Sequence, residues 1–479
     1  METLQRLHNR GSISTGYDID NSCKFEEDNL EALYAQPTAD GNQRTWTVSM
    51  WFKRTELGVS GVYNTLITAL VGAETGSLYI TPTDEIIADV GLGGTRNRQQ
   101  TAMKFRDTSA WYHIVWRVDT TQGTAADRHR LYVNGVLQEW TTIDGYPAQN
   151  FQSNWNNNYP IYIGNYSTYN NYGFNGYIAE VHHTDGVSNA PTEFGEFDDD
   201  SGIWKPKAYT GSYGAQGFYL PFDDSSNLGT NAKGNDVNFT LQNITSADQA
   251  TDTPTNNFAT LNPLDNNWAN VPTINEGATT HMLTSPSVWR GSSGTIAVSK
   301  GKWYWEIKTI NSGGNLYMLG IGSTEYGEVP GSQSPHDVLN FAGLYLANSA
   351  TEGGLFVTDS TGGSVYRNAF NPGANHSAND IYGFALDLDA STQTITFYRN
   401  GTNINPSSGA ALDIAGACSI LPVTIRLSIF EREAQCNFGG YTEFSIASGN
   451  ADANGYGTFE YAPPSGYYAL CTKNLEEYG

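Results

Sequence analysis

Apolar residues recur at every second position through much of this chain, and that period admits few folds. In TWTVSMWFKR, Trp46, Val48, Met50 and Phe52 share one face while Thr47, Ser49 and Lys53 take the other. WYHIVWRVD groups Tyr112, Ile114, Trp116 and Val118 and sends His113 and Arg117 the opposite way. KWYWEIK sets Trp303, Trp305 and Ile307 against Tyr304, Glu306 and Lys308. Successive side chains of a strand point to opposite sheet faces, so each run predicts a strand with one dry and one wet face, as in antiparallel sandwiches. No amphipathic helical pattern exceeds about three turns, and the expected class is all-β.

Turn chemistry agrees. LYVNGV and FYRNGT place Asn134-Gly135 and Asn400-Gly401 directly after apolar strands. Both central positions of a type I′ hairpin turn need positive φ, which Asn and Gly adopt at little cost. The same grammar (strand, acidic turn, strand, Asn-Gly) occurs once in each half of the chain, which predicts two sandwiches on related plans. Between them, about 194–263 is rich in Asp, Asn, Gly, Ser and Thr, with Pro206, Pro221, Pro254 and Pro263. GFYLPF reads as the closing strand of a first domain at 1–245. ADQATDTPTNN has no apolar face and reads as a linker at 246–264, followed by a second domain at 265–479.

The 25 Lys and Arg residues stand against 49 Asp and Glu, a formal net charge of −24. Phosphate binding draws on clustered basic residues. None cluster here, so nucleic acid is not an expected partner. No apolar run reaches membrane-spanning length, and METLQRLHNRG lacks the apolar stretch of a secretory signal. The expectation is a product made in a cytoplasm without membrane insertion. The four cysteines, Cys23, Cys418, Cys436 and Cys471, lack metal-site spacing and read as free buried thiols.

The strands carry a resemblance. TWTVSMWFKR, WYHIVWRVD, RLYVNGV and IYIGNYSTYNNYGFNGYIAEVHHTDG, in that order, resemble a laminin-G-like (concanavalin A-like) jelly roll over roughly 10–245. GKWYWEIKTIN, YMLGIGS, YGFALDLD, ITFYRNG and CNFGG resemble a SPRY (B30.2) domain over roughly 265–475, also a concanavalin-like sandwich. The fold implied is two such β-sandwiches in tandem. IWKPKAYTGSYGAQGFYLPF, SSNLGTNAKGND, DTPTNNFATLNP and ALCTKNL resemble a connecting pattern of tailed-bacteriophage virion proteins, among them tail-fibre and surface-appendage components. That resemblance implies a virion protein assembled in the host cytoplasm and released by lysis, with other virion proteins as partners. By analogy with fibres it implies a homo-oligomer, with a trimer as one form it could take, although no coiled-coil seam marks one.

Catalytic signatures are sparse, and the chain is expected not to be an enzyme. The nearest approach to the aligned carboxylates of concanavalin-like glycosidases is Glu196, Asp198, Asp199, Asp200, where Ser201 replaces the final acid; a solvated turn is the competing reading. His182 and His183 with Asp185 could hold an ion only if their strand bends. Jelly rolls of the resembled type often carry an oxygen-ligand calcium site in a loop. Asp223, Asp224, Asn227 and Asp236 are the candidates, against Asx-turns that cap local backbone. No cofactor is otherwise required. The aromatic-Asn tract at 150–176 offers Trp155, Tyr159, Tyr166, Tyr169 and Tyr172 as rings for sugar C–H faces among amides for sugar hydroxyls; packing under their own loops or against a subunit is the alternative. In the second domain the SPRY resemblance assigns partner contact to loops holding Tyr326, His336 and Tyr366. The function expected is recognition of a host cell-surface glycan or protein through sandwich-end loops. Alternatives are a purely structural capsid-decorating or tail-adaptor protein, and a surface-polysaccharide hydrolase.

Overall fold

The computed structural model describes residues 16–58, 61–71, 74–92, 95–166, 172–233, 237–265, 272–282, 289–311, 317–324, 340–346, 354–359, 364–368, 376–405, 409–419, 421–430 and 433–479. The chain is all-β, with multi-strand, mostly antiparallel sheets. It divides into two compact units, Met1–Asn257 and Phe258–Gly479.

In the first unit one sheet runs in the order Val136–Leu137, His129–Val133, Tyr112–Asp119, Thr45–Arg54, Gly176–Asp185, Ser22–Phe25, Gln249–Ala250. Phe218–Leu220 also pairs with Gly176–Asp185. The facing sheet runs Trp140–Ile143, Arg98–Lys104, Glu85–Val90, Glu74–Ile80, Asn64–Val71, Ile161–Ile163, Ala32–Ala35, Thr240–Gln242. Trp46, Val48, Met50 and Phe52 meet Ile67, Leu78, Ile80, Ile86 and Ala88 in one core, as the period-two pattern requires. Asn134 and Gly135 have φ of 46° and 77°, and Asn400 and Gly401 of 49° and 76°, the two positive values of a type I′ turn. A Cβ on Gly135 would also strike the Trp204 ring. Gly135→Ala is therefore expected to destabilise the first unit by ~1–3 kcal/mol, read from urea midpoints.

The expected wet face of the central strand is not wet. Thr47, Ser49, Trp51 and Lys53 are all buried, beneath a third layer made from the polar stretch that follows. Trp204 stacks on His113 (centroids 5.9 Å apart), which stacks on Trp51 (4.6 Å). The Asn189 amide donates to Thr47 Oγ1 at 2.8 Å. The third layer pairs the strand's polar groups one at a time, so no period announced it.

The 246–264 tract is likewise folded and not a free linker. Ser22 and Cys23 pair with Ala250 and Gln249, the buried Lys53 ammonium meets Asp252 at 2.7 Å, and the Ile19 amide donates to Thr255 Oγ1 at 3.0 Å. On the other side of the division, the Ala259 amide donates to the Leu470 carbonyl at 2.9 Å. Buried ion pairs and main-chain bonds can hold a segment that has no apolar face, and they leave no periodic trace.

One such group titrates. Lys24 is shared between Glu31 at 2.9 Å and Asp248 at 3.0 Å, all three buried. Burial, opposed by Lys24 and reinforced by Asp248, raises the Glu31 carboxyl to about 7. The folded state then holds this proton more tightly than the unfolded one. The contribution is full below the ordinary carboxylate value near 4.5 and is lost as pH rises through about 7. The contribution is read as a difference: in urea titrations Glu31→Gln should lose more stability than the wild type on moving from pH 7.5 to 5.

In the second unit one sheet runs Thr273–Asn275, Thr280–Met282, Ala434–Asn437, Lys302–Thr309, Ile381–Asp387, Thr394–Arg399, Thr402–Asn403, and the other Arg290–Val298, Val423–Ile429, Tyr317–Ser323, Phe341–Leu346, Gly354–Thr358, Ser364–Asn368. Trp303, Trp305 and Ile307 face Leu319, Ile321, Ile425 and Leu427 in its core. Asp387 accepts from the Asp389 and Ala390 amides and pairs with Lys302 at 2.7 Å, a strand-end role. The four cysteines are buried thiols with no disulfide among them.

Candidate functional site

Four tyrosines gather where the Asn64–Val71 strand begins. The main chain at Tyr172 docks there: the Thr65 amide donates to the Tyr172 carbonyl at 3.0 Å, and Asn64 Nδ2 to the Gly173 carbonyl at 3.0 Å. Thr65 pairs with Tyr79, and the register shifts between Thr65 and Ile67. The outcome is a ring cluster. Tyr63 stacks on Tyr172 (6.0 Å, 14°) and meets Tyr79 edge-on (5.7 Å), while Tyr166 lies against Tyr172 (5.3 Å). Tyr172 is 38% exposed, and Tyr63, Tyr79 and Tyr166 are half-buried.

The same sheet face continues away from the cluster. Tyr34 and Tyr162 are cross-strand partners with rings 5.1 Å apart. Tyr162 pairs with Thr68, Thr68 with Ser77, and Ser77 with Asp89, so one row of rings, hydroxyls and a carboxylate crosses five strands. Thr68 and Ser77 are buried and share a 2.6 Å hydrogen bond. Burial, with Asp89 nearby, raises the Tyr79 phenol to about 12; it remains a neutral hydrogen-bonding group at physiological pH.

The structure brings Tyr166 and Tyr172 together and separates Trp155 from them. Trp155 has no exposed surface and packs on Trp46 (5.4 Å) and Trp116 (5.6 Å). It is a core ring and presents no face to a ligand, because its tract turns inward between the sheets. Tyr159 is half-buried ahead of Ile161–Ile163. Tyr169, Tyr326 and His336 lie outside the described residues, and Tyr366 stands opposite Val357 on its strand, its side chain likewise outside them. Tyr34, Tyr63, Tyr79 and Tyr162 were missed. Alternation in SLYI and IYI, which buries the residues flanking each Tyr, could have found Tyr79 and Tyr162.

The calcium candidates are engaged with their own backbone. Asp224 accepts from the Ser226 amide at 3.0 Å and Thr230 Oγ1 at 3.1 Å, and Asn227 Oδ1 from the Gly229 amide at 3.1 Å. Asp223 is exposed and Asp236 lies outside the described residues. No group of three metal-ligating side chains occurs among the described residues, so the loop has the geometry of Asx-turns. His182 and His183 point to opposite faces, the first stacked on Tyr219 (4.4 Å) in the third layer, the second against Trp155 (5.6 Å) in the core.

Two constellations have the connectivity of proton relays. Ser49 Oγ lies 2.8 Å from His113 Nε2, but Trp204 Nε1 donates to His113 Nδ1 at 3.0 Å. An indole can only donate, so Nε2 carries the proton and gives it to Ser49; the imidazole cannot take one from the serine. The second joins Glu180, His182 (3.2 Å) and Tyr213 (2.6 Å from His182 Nδ1), with Tyr17 and Tyr219 each donating to Glu180 at 2.6 Å. Burial, then the Glu180 charge, pushes the Tyr17, Tyr213 and Tyr219 phenols far up, leaving them poor proton donors. Glu180 itself sits at φ 53° in a register shift between Ala179 and His182. There the neighbour of this strand changes from Ser22–Phe25 to Phe218–Leu220, so the network clamps a β-bulge. Glu196 and Asp198 both face Lys205, at 3.5 and 3.2 Å.

Residues 30–191, about a third of the chain, match the concanavalin A-like lectin/glucanases superfamily. No curated protein matches the chain. Among solved structures, the chain is similar to a native heptameric SAP-like pentraxin from Limulus polyphemus (14% identity, 36% of this chain and 80% of that one, TM-score 0.27). It is also similar to a candidate carbohydrate-binding protein from Bacteroides ovatus (18%, 48% and 60%, 0.30). A third is the CBM40 of a Ruminococcus gnavus IT-sialidase bound to α2,3-sialyllactose (14%, 31% and 88%, 0.22). The chain thus spans 60% of the Bacteroides protein. Likeness at these TM-scores assigns neither ligand nor function.

Proposed function

We propose that the first unit recognises glycan, without covalent chemistry, through the tyrosine cluster around Tyr172. The observation that carries this reading is the exposed Tyr172 ring stacked on Tyr63, with Tyr79 and Tyr166 beside it. Rings pre-ordered by one another offer apolar faces to sugar C–H groups at little entropic cost, and phenol oxygens at their rims bond hydroxyls. Full-length protein should bind a subset of bacterial surface glycans on an array. Tyr172→Ala should weaken the best binder about tenfold, or ~1.4 kcal/mol, with an unchanged melting temperature. Absence of binding to any surface glycan, or binding indifferent to Tyr172→Ala with Tyr63→Ala, would remove the reading.

The setting proposed is the surface of a tailed-phage particle, on the strength of the connecting-segment resemblance. In the second unit, the SPRY resemblance of the sequence supports protein contact around Tyr326 and His336 and at Tyr366, which stands on the Ser364–Asn368 strand. A structural reading has one observation of its own. Val136 and Leu137, 56% and 48% exposed, lie on the edge strand of their sheet, where apolar residues suit contact with another subunit. Labelling the chain on intact particles separates the readings: a tail-tip position favours recognition, and a regular capsid lattice favours scaffolding.

A further inference from the structure

We propose that Lys53 and Asn257 join through an intramolecular isopeptide bond, with Asp252 as the proton-transfer group. Lys53 sits mid-sheet on the Thr45–Arg54 strand and has no exposed surface. Its Nζ lies 2.7 Å from Asp252 Oδ2 and 2.7 Å from Asn257 Oδ1. An amine that close to a carboxamide oxygen is near the amide carbon, the placement that makes an intramolecular attack fast.

The surroundings favour the reaction. Trp111 Nε1 holds Asp252 Oδ1 at 3.0 Å, which turns Oδ2 toward Lys53. Asn257 Nδ2 donates to the Ser109 carbonyl at 2.6 Å, which fixes the amide plane. The buried Tyr177 ring flanks the ammonium at 5.9 Å.

The step balances without an oxidant or a cofactor. Asp252 takes a proton from the Lys53 ammonium, and the freed Nζ lone pair attacks Asn257 Cγ. The Nζ–Cγ bond forms, Asp252 passes its proton to Nδ2, the Cγ–Nδ2 bond breaks, and Asp252 relays the second proton that Nζ sheds to the departing ammonia. Lysine and carboxamide become a secondary amide and ammonia, which leaves as ammonium with the proton Lys53 began with; Asp252 ends as it started. The other buried lysine of this unit makes a useful contrast. Lys24 is met by the carboxyls of Glu31 and Asp248, which lack the amide carbon and the ammonia leaving group, so an ion pair is expected to persist there.

The test is mass spectrometry on the full-length protein as purified. The expected result is an intact mass lower by one ammonia, and after digestion a branched peptide joining the Lys53 and Asn257 segments. Asn257→Ala keeps the Lys53–Asp252 pair and should have the full mass and no branched peptide; Asp252→Asn should behave likewise if it folds. Wild-type protein that unfolds cooperatively and yields unmodified Lys53 and Asn257 peptides would overturn the proposal. So would an ammonia loss without the branched peptide.

Discussion

Lowering the pH from 7 to 4.5 is expected to remove a large share of the first unit's stability. His113, His129 and His183 are buried as neutral rings, and burial lowers them to about 3, 3 and 4. At the first two, hydrogen bonding adds to burial. Trp204 and Trp116 donate to His113 Nδ1 and His129 Nε2, at 3.0 and 2.8 Å, and a proton added at either nitrogen would face another donor. His183 Nδ1 contacts the Gln216 carbonyl at 3.3 Å, leaving Nε2 among core rings.

A depressed folded value means the unfolded chain binds the proton first. Each histidine's contribution is therefore complete above about 6.5 and is lost as pH falls toward 3–4. At ~1.4 kcal/mol per pH unit, two units cost on the order of 2–3 kcal/mol per histidine. Glu31 works against this and returns about 3 kcal/mol over the same range. The net loss, on the order of 5 kcal/mol, is large beside the ~5–15 kcal/mol of a typical domain. Urea titrations at pH 7, 6, 5 and 4.5, with hydrogen exchange assigning the transition to residues 16–257, would measure it. Glu31→Gln should deepen the fall. A stability that stays level between pH 6.5 and 4.5 would contradict the tautomer assignments.

Replacing Glu306 is expected to be the most damaging single change in the second unit. This carboxylate has no exposed surface. Four donors converge on it: the Tyr461 and Glu460 amides at 2.8 and 2.9 Å, Tyr304 Oη at 3.1 Å and Asn437 Nδ2 at 3.1 Å. Burial raises its carboxyl, and the two amides work against that rise. Glu306→Gln sets an NH2 against these donors, and Glu306→Ala strands all four. A loss of ~3–5 kcal/mol follows from stranding buried partners. For a unit of this size that is a melting-temperature drop of roughly 6–20 °C, by calorimetry. An unshifted transition would mean that the segment around 460 is not held by this residue.

Much of the fold was legible because it is local. Trp46, Val48, Met50 and Phe52 mark their face in the order they occur, and the two Asn-Gly pairs mark their turns. The candidate site was legible only in part. The aromatic-Asn tract pointed to Tyr166 and Tyr172, yet Trp155 in the same tract went to the core. The ion-paired tract at 246–257 looked like a linker because one Asp or one Lys carries no period.

Strand identity, turn type and which face of each strand enters the core are local properties, because they depend on neighbours two to four residues apart. Tertiary structure alone decided which tyrosines touch, what covers the outer sheet face and which lysine meets which amide. Those outcomes depend on sheet order and on two register shifts, at Thr65–Ile67 and Ala179–His182. They bring together residues such as Tyr63 and Tyr172, Thr47 and Asn189, and Lys53 and Asn257, each more than a hundred positions apart, and no short-range pattern encodes such a meeting.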